Sequence, residues 1–450
     1  MAKFIINRDN KSLLVNIFGS LTIKGGALIV SLATLPAYIS YFDNQQILGI
    51  WFTLLSVLTW ILTFDFGVGN GLRNNLVKAF VYNDHVLAKK YISSAYFFMG
   101  LLSLVTISIF LLVSKYIDWK SVFNITELSI SSKTFNLAIV IVFVSIILQL
   151  FLKLINSILY AMQKSALTNL LTLLTSILVL IYVANFGSLD TSTNLINLAL
   201  VYLIAVNAPL LIATIIAFKT TLSKSKPNFK YLDKKIAKNI FVLGGVFFWI
   251  QIMFMFITTT NEFLITWFFD PAMVVEYQVY NKLFTLIGTL FSIGLIPIWS
   301  AVTKAIAEKN YLWIKKIFSV LKLLTLAAIL VEFTLVILLQ DAINYWLGKD
   351  SLEVNYKYAI IFAISGSLFI WNGVISSIVN GLGKLKVQAI FLTFGAILKI
   401  PLSIVLMNYF DSWIGVIVAN VIAMSIYCII QPITLEIYLN KKVKGDKNYV

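Results

Sequence analysis

The sequence predicts an all-α integral membrane protein, with about twelve transmembrane helices in two six-helix lobes and both termini in the cytoplasm. Three observations lead there: the apolarity of the chain, the length of its apolar runs, and the one-sided placement of its lysines and arginines. Of 450 residues, 60% are hydrophobic and only 12% are charged, and the mean hydropathy is +0.92. Soluble domains carry about 25% charged residues, and a soluble chain of this profile would leave too much apolar surface in water. The net charge of +16 would suggest nucleic acid in a soluble chain. Here it belongs to loops beside a membrane, so no nucleic-acid partner is expected.

A span needs roughly 20 mostly apolar residues to cross about 30 Å of hydrocarbon. Candidate spans lie at 12–40, 47–69, 91–114, 135–160, 165–184, 195–218, 240–268, 277–300, 317–339, 357–381, 387–407 and 412–438. Backbone groups in lipid must pair within the span, and runs this long are helices, not barrel strands. The N-terminal stretch MAKFIINRDNKSLLVN leads into the first span without a small-residue cleavage site, so that span is read as retained. The single cysteine, Cys428, lies in an apolar run and has no partner for an internal disulfide.

With the N-terminus inside, the cytoplasmic connections hold 26 basic residues and the outer ones hold five, Lys115, Lys120, Lys133, Lys349 and Lys357. That asymmetry sets the orientation of a multi-pass membrane protein with both termini in the cytoplasm. The segment 219–238 carries seven lysines and is the long basic linker of the chain. It divides an N-terminal lobe, 1–218, from a C-terminal lobe, 239–440, and a basic tail follows at 441–450. As an inside loop it also favours anionic membrane lipids.

The halves carry traces of a repeat. KAFVYNDHVLAKKY from Lys78 and KAIAEKNYLWIKKI from Lys304 share Lys-Ala and a following Lys-Lys at an offset of 226 residues. ISYFD at Ile39 and ITWFFD at Ile265 match at nearly the same offset. Parallel repeats of this kind point to a transporter.

The stretch FDFGVGNGLRNN, Phe64–Asn75, imitates a phosphate loop. No Gly-Lys-Ser/Thr follows it, and an apolar span precedes it where a dinucleotide site needs a strand. The alternative is that its glycines end the second span and that LRNNLVKAF continues as an amphipathic helix.

DFGVGNGLRNNLVKAFVYND (65–84) resembles the connection between the second and third spans of bacterial polysaccharide flippases, the Wzx-type O-antigen and capsule exporters. NEFLITWFFDPAMVVEYQVYNKL (261–283), LIPIWSAVTKAIAEKN (295–310) and SSIVNGLGKLKVQ (376–388) extend the likeness over nearly the whole chain. These flippases belong with the multidrug and toxic-compound extruders in the MATE-like MOP superfamily. The resemblance implies a multi-pass membrane transporter of the bacterial cytoplasmic (inner) membrane and not an enzyme. Its cargo would be an undecaprenyl-pyrophosphate-linked oligosaccharide, moved from the cytoplasmic to the outer leaflet by alternating access for O-antigen, capsule or lipopolysaccharide assembly. It implies no cofactor, coupling to H⁺, Na⁺ or the membrane potential, and polysaccharide polymerase machinery as a further partner. The glycines Gly67, Gly69 and Gly71 then form a conformational joint, together with Pro36 and Pro297 in the first and eighth spans.

Charges at bilayer depth are costly and are functional candidates by default. Lys24 and Lys399 lie near the middles of the first and eleventh spans, and Glu262 and Lys282 lie toward the outer ends of the seventh and eighth. Lysines in the membrane suit an anionic headgroup, which needs charge-assisted hydrogen bonds on its way. Lys24, Lys282 and Lys399 are therefore the candidate pyrophosphate ligands. In the resembling family basic residues of the first and eighth spans line the cavity, which falls on Lys24 and Lys282. Lys24 and Lys399 also admit a reading as buried, internally paired lysines. Glu262 is either a coupling-cation site, as a seventh-span carboxylate is in some relatives, or an ion-pair partner of Lys282. Glu332, in the ninth span, is expected to meet a partner within its lobe.

Two rivals remain. A MATE-like extruder of organic cations would line its path with acids and aromatics. A polysaccharide polymerase or ligase would need a large outer loop, and the longest here, about 115–134, is short and poor in catalytic types. The orientation has a direct check. Alkaline phosphatase fused after Lys238 or Val450 stays inactive and fused after Ser131 or Ser351 is active; the reverse pattern inverts the topology.

Overall fold

The computed structural model describes residues 8–42, 47, 48, 51, 54, 55, 67–119, 131–187, 190–268, 271–347 and 352–447. Among these the α-helices are α1 (Arg8–Phe42), α2 (Val68–Val81), α3 (His85–Val113), α4 (Ser132–Leu152), α5 (Leu154–Ala161), α6 (Ser165–Asn185) and α7 (Thr191–Lys219). They continue as α8 (Lys234–Thr259), α9 (Asn261–Phe268), α10 (Pro271–Ala307), α11 (Tyr311–Leu347), α12 (Tyr356–Leu382), α13 (Lys386–Phe410) and α14 (Ile414–Lys447). No strand occurs among the described residues, so the chain is all-α as expected. Ten helical stretches among them are long and apolar enough to cross a membrane, and they cover the third to twelfth expected spans. The first expected span falls within α1. The second lies mostly outside the described residues, as does Asp65.

Two compact units are present, Met1–Gly245 and Val246–Val450. In the first, α1 packs on α6 through small residues. A Cβ on Gly19 would lie 3.2 Å from the Ala166 Cβ, and Ser20 and Ser165 share a hydrogen bond of 3.4 Å. Small side chains let two helices approach where lipid supplies no hydrophobic push. α4 and α7 are tied by Asn207, whose amide donates to the Ser145 carbonyl at 3.1 Å. One apolar cluster gathers Tyr41, Trp51, Phe135 and Leu198, and another gathers Leu72, Ile92, Ile155 and Ile158. In the second unit Tyr280, Phe284, Phe362 and Trp413 form the corresponding core.

The connections are short because their chemistry is local. The α2–α3 turn uses Asn83 in the left-handed region (φ 53°), and Asp84 N donates to Ala79 O at 2.9 Å. Asp84 then caps α3 by accepting from Leu87 N at 2.8 Å. The α10–α11 turn repeats this step for step, with Lys309 at φ 57°, Asn310 N on Ala305 O at 2.7 Å, and Asn310 Oδ1 accepting from Trp313 N at 3.1 Å. Every pair is displaced by the 226 residues that separate the two Lys-Ala motifs. The repeat is thus carried by a backbone motif, a left-handed residue followed by a side-chain cap.

Two expected single spans are broken. Lys153 interrupts the fourth, between α4 and α5, and Thr260 the seventh, between α8 and α9. The glycine stretch also differs from its reading as a helix end: only Gly67 is non-helical (φ 65°), while Gly69 and Gly71 lie inside α2 and are buried. The reason is a backbone-to-backbone crossing of α2 and α8. A Cβ on Gly67 would overlap the Gly244 carbonyl, and one on Gly71 would come within 2.5 Å of the Ile240 carbonyl. α10 stays helical through Pro297. The backbone of α1 likewise continues through Pro36, whose side chain is outside those described.

The crossing makes a prediction. Gly71→Val should cost about 1–3 kcal/mol and lower the melting temperature in detergent. Gly245→Ala, where nothing lies within 4 Å of the added carbon, should leave it unchanged or raise it. Equal effects would dismiss the crossing as a constraint.

Candidate functional site

The C-terminal unit builds a polar interior from the break at Thr260. Lys399, on α13, is 1% exposed, and its ammonium donates to the Ile257 carbonyl and to Asn261 Oδ1. These acceptors flank the end of α8, where the last-turn carbonyls lack intrahelical donors and the helix dipole favours a cation. The amide of Asn261 in turn donates to the Tyr277 hydroxyl at 3.2 Å. Burying an ammonium is costly unless it is hydrogen-bonded, and Lys399 meets that condition inside its own unit. Its hydrogen bonds as they stand therefore serve the α8–α9 break.

Beside this group lies a cavity of about 120 Å³ whose walls include Asn261, Asn281, Thr285, Ser365, Gly366 and Asn420. Charge within the spans does not mark these residues, because neutral amides carry none. A signal is nonetheless present: asparagine within a span, as at Asn281 and Asn420, is itself expensive in lipid. Glu332, on α11, is fully buried, and neither carboxylate oxygen has a hydrogen-bond partner among the described residues. The partner expected for it is therefore not among them. Its carboxylate rests against Gly366, where an added Cβ would come within 2.8 Å of it. The missing side chain is what makes room.

The other candidates are not among the residues that line this cavity. Lys24, on α1, is half-buried, next to Gly25, around which nothing lies within 4 Å of an added Cβ. Lys282, on α10, is exposed. Neither makes a hydrogen bond or ion pair among those described. Glu262, also exposed, opens α9, where an acid complements the helix dipole. It accepts from the Gln278 amide, so the described structure pairs it with Gln278 and not with Lys282. The structure thus gathers Lys399, Asn261 and the cavity in one unit, while Lys24 belongs to the other.

No family model matches this sequence, and no curated protein does. Solved structures do. Over 98% of its length the chain matches a structure described as MATE in complex with MaD3S, covering 98% of that chain at 13% identity with a TM-score of 0.75. The chain has the fold of the MATE transporters. The Vibrio cholerae MATE transporter VcmN in its bent form matches over 98% of this chain and 100% of its own, at 12% identity and a TM-score of 0.72. An outward-facing multidrug resistance MATE family transporter of the MOP superfamily matches over 98% of both chains at 14% identity, with a TM-score of 0.69. The MATE fold accounts for the all-helical, multi-pass membrane architecture.

Lys399→Met should lower the melting temperature by an amount equivalent to about 1–3 kcal/mol, because it strands Ile257 O and Asn261 Oδ1. An unchanged melting curve would remove Lys399 from its place at the break.

Proposed function

We propose that the chain is a membrane transporter that flips an undecaprenyl-pyrophosphate-linked oligosaccharide from the cytoplasmic to the outer leaflet of the inner membrane. The observation that carries this reading is Lys24, a half-buried cation without a described partner. The acids of the first half, Asp9, Asp43, Asp65, Asp84, Asp118, Glu127 and Asp190, all fall in connections or at the ends of spans. A cation at bilayer depth without a counter-charge of its own is arranged to meet an anion from outside. A pyrophosphate supplies one, and the polyprenyl tail stays in lipid. Lys282, exposed on α10, is the matching cation of the C-terminal unit. Lysine meets phosphate as a point charge, without the bidentate fork of arginine, which suits a headgroup that must be released again. The resemblance of residues 65–84 and 261–283 to the flippases points the same way.

In this reading Lys399 holds the α8–α9 break and acts on the cargo only through it. Glu262 is the proposed coupling-cation site, and Gly67, Gly69, Gly71, Pro36 and Pro297 the proposed joints. The lobe bounds 1–218 and 239–440 stand as part of the same proposal.

The extruder reading draws on a specific observation of its own, since one solved neighbour is described as a multidrug resistance MATE family transporter. It fits the fold at least as well. Glu262 and the buried Glu332 are the acids it would use for an organic cation.

Deleting the gene separates these readings. Lipid-linked repeats trapped on the cytoplasmic face, with loss of surface polysaccharide, are expected for the flippase. A normal coat with heightened sensitivity to cationic drugs would install the extruder, and unpolymerised repeats on the outer face would point to an enzyme. Lys24→Ala and Lys282→Ala should each abolish flipping while the protein still inserts, and normal flipping in both would sink the pyrophosphate assignment. Glu262→Gln should remove the dependence of transport on the ion gradient; retained dependence would discard Glu262 as the coupling site.

A further inference from the structure

The lysine-rich linker is an ordered strap laid over the start of α3. Ser225 Oγ donates to the His85 carbonyl at 3.4 Å, and Asn228 N donates to Ser93 Oγ at 3.0 Å. Asp233 N donates to Ser94 Oγ at 3.2 Å. Lys90 pairs with Asp233 at 3.6 Å, and Lys89 lies 4.4 Å above the Tyr231 ring. The Ile236 N–H, first among several contacts, holds the Asp233 carboxyl below the usual carboxylate range. Phe229 meets Phe97 edge to face at 6.0 Å.

Under this strap runs an open groove of about 440 Å³. Its floor and walls include Tyr96, Phe97, Gly100, Leu101, Leu104 and Phe151, and Pro227, Asn228 and Phe229 form its mouth. From Ser93 to Leu104 the groove follows α3 for roughly 16 Å at 1.5 Å per residue, which is about half of a 30 Å hydrocarbon layer. It is therefore one leaflet deep. Leu104 at its far end is 65% exposed and Phe229 at its mouth 77% exposed, as befits surfaces that meet lipid and not protein.

Lys226 and Lys230, both exposed, flank the mouth residues Pro227, Asn228 and Phe229 in sequence, and neither belongs to an ion pair among the described residues. The lysines that the strap uses for itself, Lys89 and Lys90, are different ones. Free cations at the top of an apolar groove one leaflet deep define a complementary molecule, one with a single-leaflet chain and an anionic head.

We infer that this groove is a binding site for an anionic phospholipid, with one acyl chain along α3 and the phosphate headgroup between Lys226 and Lys230. The depth selects a phospholipid over a longer polyprenyl chain. Because the strap is also the long linker of the chain, lipid bound here ties the linker to α3 and makes the stability of that attachment depend on the surrounding lipid. The site holds whatever the cargo is, anionic or cationic, and so is tested separately from the transport reading.

The test is native mass spectrometry of the delipidated full-length protein in a neutral detergent, offered phosphatidylglycerol or phosphatidylcholine with identical chains. The protein should retain phosphatidylglycerol in preference. Lys226→Gln and Lys230→Gln should each lower that affinity about fivefold, and the double variant should bring it to the phosphatidylcholine level. Leu101→Trp, which fills the groove from an exposed position, should reduce retention of both lipids. Equal retention of the two lipids by the unaltered protein would overturn the inference, as would unchanged selectivity in the double lysine variant. Displacement of phosphatidylglycerol by glycerol phosphate at equal concentration would overturn the chain groove. Preferential retention of a polyprenyl phosphate would overturn the choice of phospholipid.

Discussion

Hydrocarbon offers a peptide N–H or C=O no partner, and that single constraint orders the rest of this molecule. It makes each described span a helix and confines irregular backbone to places where other groups satisfy it. At Thr260 the chain breaks a span, and a buried lysine from α13 covers the carbonyl of Ile257 that the break would otherwise strand. Asn261 continues the same network to Tyr277. A charge that is expensive by itself thus becomes affordable because a helix end needs it.

The same constraint separates the lysines by kind. Lys399 finds its acceptors inside the unit and has the geometry of a strut. Lys24 and Lys282 find none among the described residues, and the proposed function rests on that difference. The contrast lies in their surroundings, since all three are the same residue type. A fold shared with a multidrug resistance transporter leaves cargo open: the fold fixes where helices lie, and in the proposed reading the sign of the free charge decides what they attract.

Much of the architecture was legible in the sequence because its cause is one-dimensional. Apolar run length marks the spans, and the lysine asymmetry predicts their orientation. The Lys-Ala motifs at Lys78 and Lys304 announced a repeat whose turns share the same left-handed residue and cap, at Asn83 with Asp84 and at Lys309 with Asn310. What stayed hidden depends on contacts between residues distant in sequence. Gly71 reads as a helix end until Ile240 is seen against it. The polar cavity at Asn261 and Asn420 is assembled from neutral side chains on separate helices. Glu332 was visible as a charge, but the glycine that accommodates it, Gly366, had no signal of its own. The linker reads as a basic inside loop, whereas Ser93 and Ser94 bind it down at Asn228 and Asp233.

The central claim is that unpaired lysines select an anionic, lipid-linked cargo. Its most direct test is reconstitution of the purified protein into liposomes, with a fluorescent polyprenyl-pyrophosphate oligosaccharide in both leaflets and a membrane-impermeant quencher outside. Transbilayer movement that depends on the protein, and that an excess of cationic dye does not inhibit, is the predicted result. Protein-dependent export of the dye with no movement of the pyrophosphate lipid would contradict it.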